Sequence, residues 1–175
     1  SKRKADIAGE LSALGDRNVE LKASEQDRLT LAYSEIADRT RDFLQKDLPR
    51  QEAFQSARQI NFSFGSDKIS VNGESYFSAS SLVILKNSFL AGFLFAATKD
   101  REFRHPRLAI LDTVEDKGME PERSQNFQKM LVAASKGTKV DHQIIFATAM
   151  IAEELDTDAY TVGSFSSHDD RTLAV

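Results

Sequence analysis

The sequence has no cysteine, no tryptophan and only three prolines in 175 residues. The lack of cysteine excludes disulfide bonds and thiolate metal sites and fits a reducing compartment. The formal net charge is −4, so no overall positive field attracts nucleic acid, and the only dense basic run is Ser1–Lys4. The opening residues also lack the apolar core of a signal peptide. We therefore expect a cytoplasmic protein in which any contact with DNA is local.

Two further absences limit what the chain can do alone. Its longest apolar stretch, Leu82–Ala97, is interrupted by Lys86 and two polar neighbours, whereas a membrane span takes about 20 apolar residues. This stretch predicts a buried core helix and no membrane segment. A Gly-x-x-x-x-Gly-Lys-Ser/Thr phosphate loop is also missing, since Gly65–Lys68 lacks the spacing. The chain alone therefore has no cradle for the β- and γ-phosphates of a nucleotide.

Residues 1–58 predict a helical coiled-coil segment, because they are rich in strong helix formers. A first core set alternates spacings of four and three residues and includes an asparagine, which commonly fixes register: Ile7, Leu11, Leu14, Asn18 and Leu21. A second set is one residue out of phase: Leu29, Ile36 and Phe43. The phase change indicates a discontinuity in one coiled coil or a turn between two helices near Ala23–Gln26. Two amphipathic helices of a globular bundle are a third interpretation.

Residues 59–175 predict an α/β lobe. Two alternating stretches, Ile60–Phe64 and Lys68–Val71, with the turn signal Asn72-Gly73, predict a small antiparallel element. The other predicted elements are buried strands at Arg107–Leu111 and Gln143–Thr148, helices over Leu82–Ala97 and from Glu120 to about Ala134, and weaker strands at Tyr160–Phe165 and Thr172–Val175. Apolar strands separated by helices imply a mostly parallel sheet flanked by helices.

Three features of this lobe are candidates for chemistry. Asp112 ends a buried strand at the sheet edge where α/β folds bind ligands, and a carboxylate there holds Mg²⁺ in nucleotide hydrolases. Ser78–Ser81 opens the apolar helix, and a serine at a helix N-terminus is either an ordinary cap or a donor to an anion. The third feature is the second buried strand, Gln143–Thr148.

The order of these features resembles the C-terminal lobe of ABC-type ATPase heads in the SMC family and the SMC-like DNA-repair ATPases. The signature motif of those heads, usually Leu-Ser-Gly-Gly followed by a polar residue, corresponds to Phe77–Ser81. Their Walker B strand corresponds to Leu108–Asp112, their D-loop falls near Lys117–Glu120, and their switch strand corresponds to Gln143–Ala149. The N-terminal helices match the returning coiled-coil arm.

The resemblance implies two heads that sandwich two ATP molecules, with the signature of one head facing the γ-phosphate held by the other. Ser78 would then donate its hydroxyl to that phosphate, and the backbone N–H groups of Ala79, Ser80 and Ser81 would add donors. Asp112 would hold Mg²⁺. The Walker A lobe, which these 175 residues lack, would come from the same gene or from another chain.

The sequence departs from the family pattern at three places. Ala79 and Ser80 replace the two glycines of the signature, which leaves a bulkier loop near the phosphate. Thr113 stands where the family has its catalytic glutamate, so the candidate general bases are Glu115 and Asp116. Simple solvation of the loop by these two carboxylates is the other interpretation. Ala149 replaces the switch histidine.

The leading hypothesis is the C-terminal half of an ATP hydrolase head. Such a head would couple ATP binding, hydrolysis and homodimerisation to DNA binding in repair, chromosome maintenance or defence against foreign DNA, and a nuclease is a candidate partner. The alternative is a degenerate, non-hydrolysing head that serves as a coiled-coil dimerisation or scaffold module. Thr113 and Ala149 favour the alternative, whereas Ser78 and Asp112 favour the ATPase.

Overall fold

The structure, a computed structural model, describes residues 2–100, 102–112, 115 and 117–163. These residues form a mixed helical and β structure with a long N-terminal helix. The elements are, in order, helix α1 (Lys2–Gln45), helix α2 (Glu52–Gln55), strands β1 (Ile60–Ser63) and β2 (Lys68–Val71), helix α3 (Ala79–Lys99), strand β3 (Leu108–Asp112), helix α4 (Pro121–Lys136), strand β4 (Gln143–Ala147) and a short 3₁₀ helix (Glu153–Leu155).

Helix α1 is a single helix of 44 residues, so the alternative of a turn near Ala23–Gln26 is wrong. Residues 2–31 are all exposed, and only the last part of the helix enters the core, through Ile36, Thr40, Phe43 and Leu44. The helix ends four residues before Pro49, a residue that cannot continue it. The phase change between the two apolar sets therefore falls within one continuous helix, in its exposed part between Leu21 and Leu29.

Helix α3 is the central core helix, as its apolar composition predicts. It begins at Ala79, three residues before the predicted start, because the Ser78 side chain caps its first turn. Among the described residues, α3 alone is long and apolar enough to cross a bilayer, yet 67% of its apolar window is buried inside the structure. That burial is the pattern of a core helix, because the surrounding elements already cover most of its surface.

Helices α1 and α3 cross in very close contact at Gly92. A Cβ atom at this position would lie 2.5 Å from Thr40 Oγ1 and 2.8 Å from the Thr40 backbone nitrogen. Gly92 and Thr40 are both fully buried. The crossing therefore depends on the absence of a side chain at Gly92. A Cβ atom there would clash with the backbone of Thr40, which cannot move aside.

The two predicted β elements form as separate two-stranded sheets. Strands β1 and β2 pair antiparallel, from Ile60 opposite Val71 to Ser63 opposite Lys68. The turn predicted at Asn72-Gly73 is confirmed, since both residues have left-handed φ angles of 52° and 87°. Residues 160–163 form no strand, and the rest of the predicted strand at Tyr160–Phe165 and the one at Thr172–Val175 lie outside the described residues.

Strands β3 and β4 pair in parallel, as predicted, with Leu108 opposite Gln143 and Asp112 opposite Ala147. One face of this sheet packs on the core through Ala109, Leu111, Ile144 and Phe146. The other face exposes three large apolar side chains: Leu108 by 38%, Ile110 by 62% and Ile145 by 45%. Within the described part of the chain, helices thus cover one face of the parallel sheet and leave the other open. The prediction of two fully buried strands is therefore wrong for these residues, because only one face of each strand packs on the core.

Candidate functional site

The N-terminus of α3 carries the predicted signature residues. The Ser78 Oγ accepts a hydrogen bond of 3.3 Å from the Ser81 backbone N–H, which is the geometry of a helix cap. Ser78 and Ala79 are exposed and Ser80 is half-buried. Helix geometry leaves the N–H groups of Ala79 and Ser80 without intrahelical acceptors. The cap interpretation is therefore confirmed, and two backbone donors remain directed outward beside an exposed hydroxyl.

Ser81 has a different environment from the other three residues. Its side chain is 1% exposed, and its Oγ accepts a hydrogen bond of 3.2 Å from Arg123 Nη1. Arg123 lies in the first turn of α4 and is itself buried, paired with Asp47 just beyond the end of α1. Ser81 therefore faces the interior, where it joins three helices, and does not present a hydroxyl at the surface.

Asp112 is the last residue of β3, at the carboxyl edge of the parallel pair. Its side chain is exposed and makes no hydrogen bond or ion pair with another described residue. No group of three or more acidic or histidine side chains that could hold a metal occurs in the described ranges. Mg²⁺ is commonly held by one or two carboxylates together with water and substrate phosphates, so a single Asp112 carboxylate fits that mode.

Glu115 binds the end of β4. Its two carboxylate oxygens accept one hydrogen bond each, from Thr148 Oγ1 at 2.8 Å and from the Ala149 backbone N–H at 2.6 Å. The Thr148 hydroxyl also accepts a hydrogen bond of 3.0 Å from the Met150 N–H. Glu115 therefore links the loop after β3 to the segment after β4. Its fellow candidate base, Asp116, and the departure at Thr113 lie outside the described residues.

The loop before α4 is fixed by its backbone and by one buried side chain. Lys117 and Gly118 both have left-handed φ angles, of 61° and 73°, and Met119 is 3% exposed. At its end, the Glu120 carboxylate accepts hydrogen bonds from Arg50 Nε and Nη2, of 2.9 and 2.7 Å to one oxygen. The hydrogen bond from Arg50 lowers the pKa of Glu120 below its usual value. The segment that resembles the D-loop is thus held by Arg50, which lies between α1 and α2.

The predicted site residues form two groups. Asp112, Glu115 and Ala149 lie along the carboxyl edge of β3 and β4, whereas Ser78–Ser81 lie at the N-terminus of α3. Within the described ranges, no hydrogen bond or ion pair joins the two groups. A cavity of about 540 Å³ between α1, α3 and α4 includes none of the predicted site residues. The described residues of one chain therefore do not bring the predicted site residues into contact.

Thr148, Arg123 and Asp47 were not predicted as site residues. Thr148 had a usable signal, because it is a polar residue directly after strand β4, at the edge where Asp112 also lies. Arg123 and Asp47 had no local signal, because their contact joins residues 76 positions apart.

Comparison of the chain with protein-family models, with curated proteins and with solved structures identifies no match.

Proposed function

We propose that this chain is the C-terminal lobe of an SMC-like ABC ATPase head, which becomes an ATP hydrolase when a Walker A lobe completes it. The observation that carries the proposal is the open face of the parallel sheet. Purely parallel sheets occur almost only with both faces covered, and two parallel strands are a small fragment of such a sheet. Leu108, Ile110 and Ile145 form an apolar surface of the kind that a further layer of structure buries.

The site geometry is consistent with a shared nucleotide site. The exposed Ser78 hydroxyl and the outward N–H groups of Ala79 and Ser80 could bind a phosphate presented by a second head. Asp112 would hold Mg²⁺, and the metal would neutralise charge on the phosphates. Because no hydrogen bond or ion pair among the described residues joins the two groups within one chain, we expect each site of a head dimer to combine the signature of one head with the Asp112 of the other.

The projecting part of α1 supports a coiled-coil arm. Residues 2–31 are exposed, and their apolar seam includes Ile7, Leu11 and Leu14, which are 49%, 67% and 66% exposed. A lone helix in water gains little stability without packing of such a face. We expect a second helix to cover this seam, as in the returning arm of the family. The association with DNA, the candidate nuclease partner and the cytoplasmic location follow from the resemblance and the composition.

A degenerate, non-hydrolysing head is the second candidate function. The specific observation in its favour is Glu115, whose two oxygens already accept hydrogen bonds from Thr148 and Ala149. A general base must be free to take a proton from water. In this arrangement Glu115 links two loops, which favours a structural role for its carboxylate and leaves Asp116 as the other candidate base. Measured ATP turnover of the complete protein separates the two candidates.

Replacing Ile110 with Lys tests the open sheet face. In the isolated chain, Ile110 is 62% exposed, so the change should leave the thermal midpoint nearly unaltered. In the complete protein, the same change would bury an unpaired charge beneath the Walker A lobe, and we expect loss of ATPase activity and a cost of several kcal/mol in stability. The measurements are thermal unfolding of both proteins and ATP turnover of the complete one.

Val162→Lys is the matched control, because Val162 is also a β-branched residue and is fully exposed. This control should be neutral in both proteins. If Ile110→Lys behaved like Val162→Lys in the complete protein, the sheet face would be a solvent surface and the proposed lobe would not cover it.

A further inference from the structure

Three helices meet at one buried ion pair. Arg123, from the first turn of α4, is 2% exposed, and Asp47, just beyond the end of α1, is 5% exposed. Arg123 donates to both Asp47 oxygens, through Nε at 3.2 and 3.0 Å and through Nη2 at 2.6 Å. Its remaining nitrogen, Nη1, donates to Ser81 Oγ in the first turn of α3. Arg123 is therefore the only described side chain that hydrogen-bonds to both Asp47 and Ser81.

These contacts continue to the exposed end of α3. The Ser81 hydroxyl accepts a hydrogen bond from Arg123, and the Ser81 backbone N–H donates a hydrogen bond to the Ser78 Oγ. A chain of direct hydrogen bonds therefore runs from Asp47 through Arg123 and Ser81 to Ser78. On the surface, Arg50, in the segment between α1 and α2, makes a second connection to the start of α4, through Glu120. Direct hydrogen bonds thus connect the segment that follows α1 with Ser78 at the start of α3.

The ion pair is an unusual choice for stability alone. Apolar side chains of similar volume in place of a buried ion pair are often neutral or stabilising, because they avoid the desolvation of two charges. The planar guanidinium differs from an apolar side chain in that it holds two hydrogen-bond partners in one plane at defined angles. Lysine, a point charge on a flexible stem, could not hold Asp47 and Ser81 in this way.

We propose that Arg123 is a positioning residue that sets the first turn of α3, and hence Ser78, according to the direction of α1. The inference rests on the proposed function, in which Ser78 contacts the nucleotide of the opposite head. A change in the coiled-coil arm then alters ATP-driven head dimerisation without touching the nucleotide site of its own head. The long helix and the signature residues act as one mechanical unit.

Ser81→Ala in the complete protein tests the coupling. The change removes only the hydroxyl that Arg123 contacts and leaves the Asp47–Arg123 pair and the Ser81 N–H in place. We expect the ATP concentration for half-maximal head dimerisation to rise about 10-fold, a typical size for coupling between sites. ATP binding by a single head should not change, because it depends on the Walker A lobe. Dimerisation is measured by sedimentation across an ATP series, well below the unfolding temperature.

Ser88→Ala is the matched control. Ser88 lies in the same helix, is fully buried, and its hydroxyl has no hydrogen-bond partner among the described residues. The same substitution there removes an unsatisfied polar group, so the thermal midpoint should hold or rise and dimerisation should match wild type. An effect of Ser81→Ala that exceeds this control cannot come from general packing of α3.

The double variant Asp47→Leu/Arg123→Met covers the case in which Ser81→Ala fails to fold. Removing both charges together should keep the thermal midpoint near or above that of wild type. Dimerisation should nevertheless weaken about 10-fold, because the fork that positions Ser81 is gone.

The outcomes separate the two proposals. If wild-type protein does not dimerise with ATP, the proposed function is wrong and the positioning role is wrong with it. If wild-type protein dimerises, and both Ser81→Ala and the double variant dimerise at the wild-type ATP concentration, the positioning role alone is wrong. A rise in the required ATP in either folded variant, with unchanged ATP binding by single heads, supports it.

Discussion

Arg123→Ala is expected to lower the free energy of unfolding by about 3–5 kcal/mol, the range for breaking a buried ion pair by removing one partner. The Asp47 side chain is fully buried, and Arg123 supplies three of its hydrogen bonds. Truncation would leave that carboxylate without a counter-ion and would also leave a cavity between the three helices. Since a domain is stable by only about 5–15 kcal/mol, the loss would be a large share of the total.

The measurement is chemical denaturation of the isolated chain, with Arg50→Ala as the matched control. Arg50 also binds a carboxylate through two nitrogens, but both partners are 40% or more exposed. Exposed ion pairs contribute little to stability, so this control should remain close to wild type. Equal and small losses in the two variants would contradict the assigned burial of the Asp47–Arg123 pair.

Gly92→Ala is expected to destabilise the chain by about 1–3 kcal/mol, the usual effect of overpacking a core. The added Cβ would meet the Thr40 side chain at 2.5 Å, its backbone nitrogen at 2.8 Å and the Ile36 carbonyl oxygen at 3.1 Å. Two of these atoms belong to the α1 backbone and cannot turn away, so the helices must separate. This strain has to exceed the helix propensity that alanine gains over glycine, which is about 1 kcal/mol.

Gly15→Ala is the matched control, because the same substitution should here leave stability unchanged or raise it. Gly15 lies within α1, and a Cβ there meets nothing within 4 Å. The higher helix propensity of alanine is then the only effect of the substitution. Helix content should therefore stay the same or rise, and stability should not fall. Circular dichroism and thermal unfolding report both effects. A Gly92→Ala variant as stable as wild type would contradict the close crossing of α1 and α3.

Local sequence patterns predicted the elements well, because each pattern reflects a periodicity that the element itself imposes. The alternation in Lys68–Val71 and the apolar stretches Arg107–Leu111 and Gln143–Thr148 predicted three of the observed strands, and the parallel pairing followed from the intervening helix. The cap at Ser78 was visible because a cap is a contact between residues three positions apart.

Tertiary contacts were beyond the reach of those patterns. Nothing near Arg123 distinguishes it from the other arginines, because its partners lie just beyond α1 and in the first turn of α3, and only the fold brings them together. Glu115 was proposed as a base from its sequence position alone, and the sequence did not indicate that Thr148 and Ala149 occupy both of its oxygens. The sequence also left open whether α1 is continuous across the phase change, because a turn and a continuous helix fit the same two apolar sets.

We propose that two heads share each ATP site, and ATP turnover by mixed heads tests this proposal most directly. In the complete protein, Ser78→Arg should block ATP-driven dimerisation, and Asp112→Ala should abolish hydrolysis while leaving residual ATP binding. A mixed dimer of the two variants contains one site with both defects and one site with neither. We predict partial ATPase activity in the mixture, with each variant alone inactive. Activity no greater than that of the separate variants, where mixed dimers demonstrably form, would contradict the shared site.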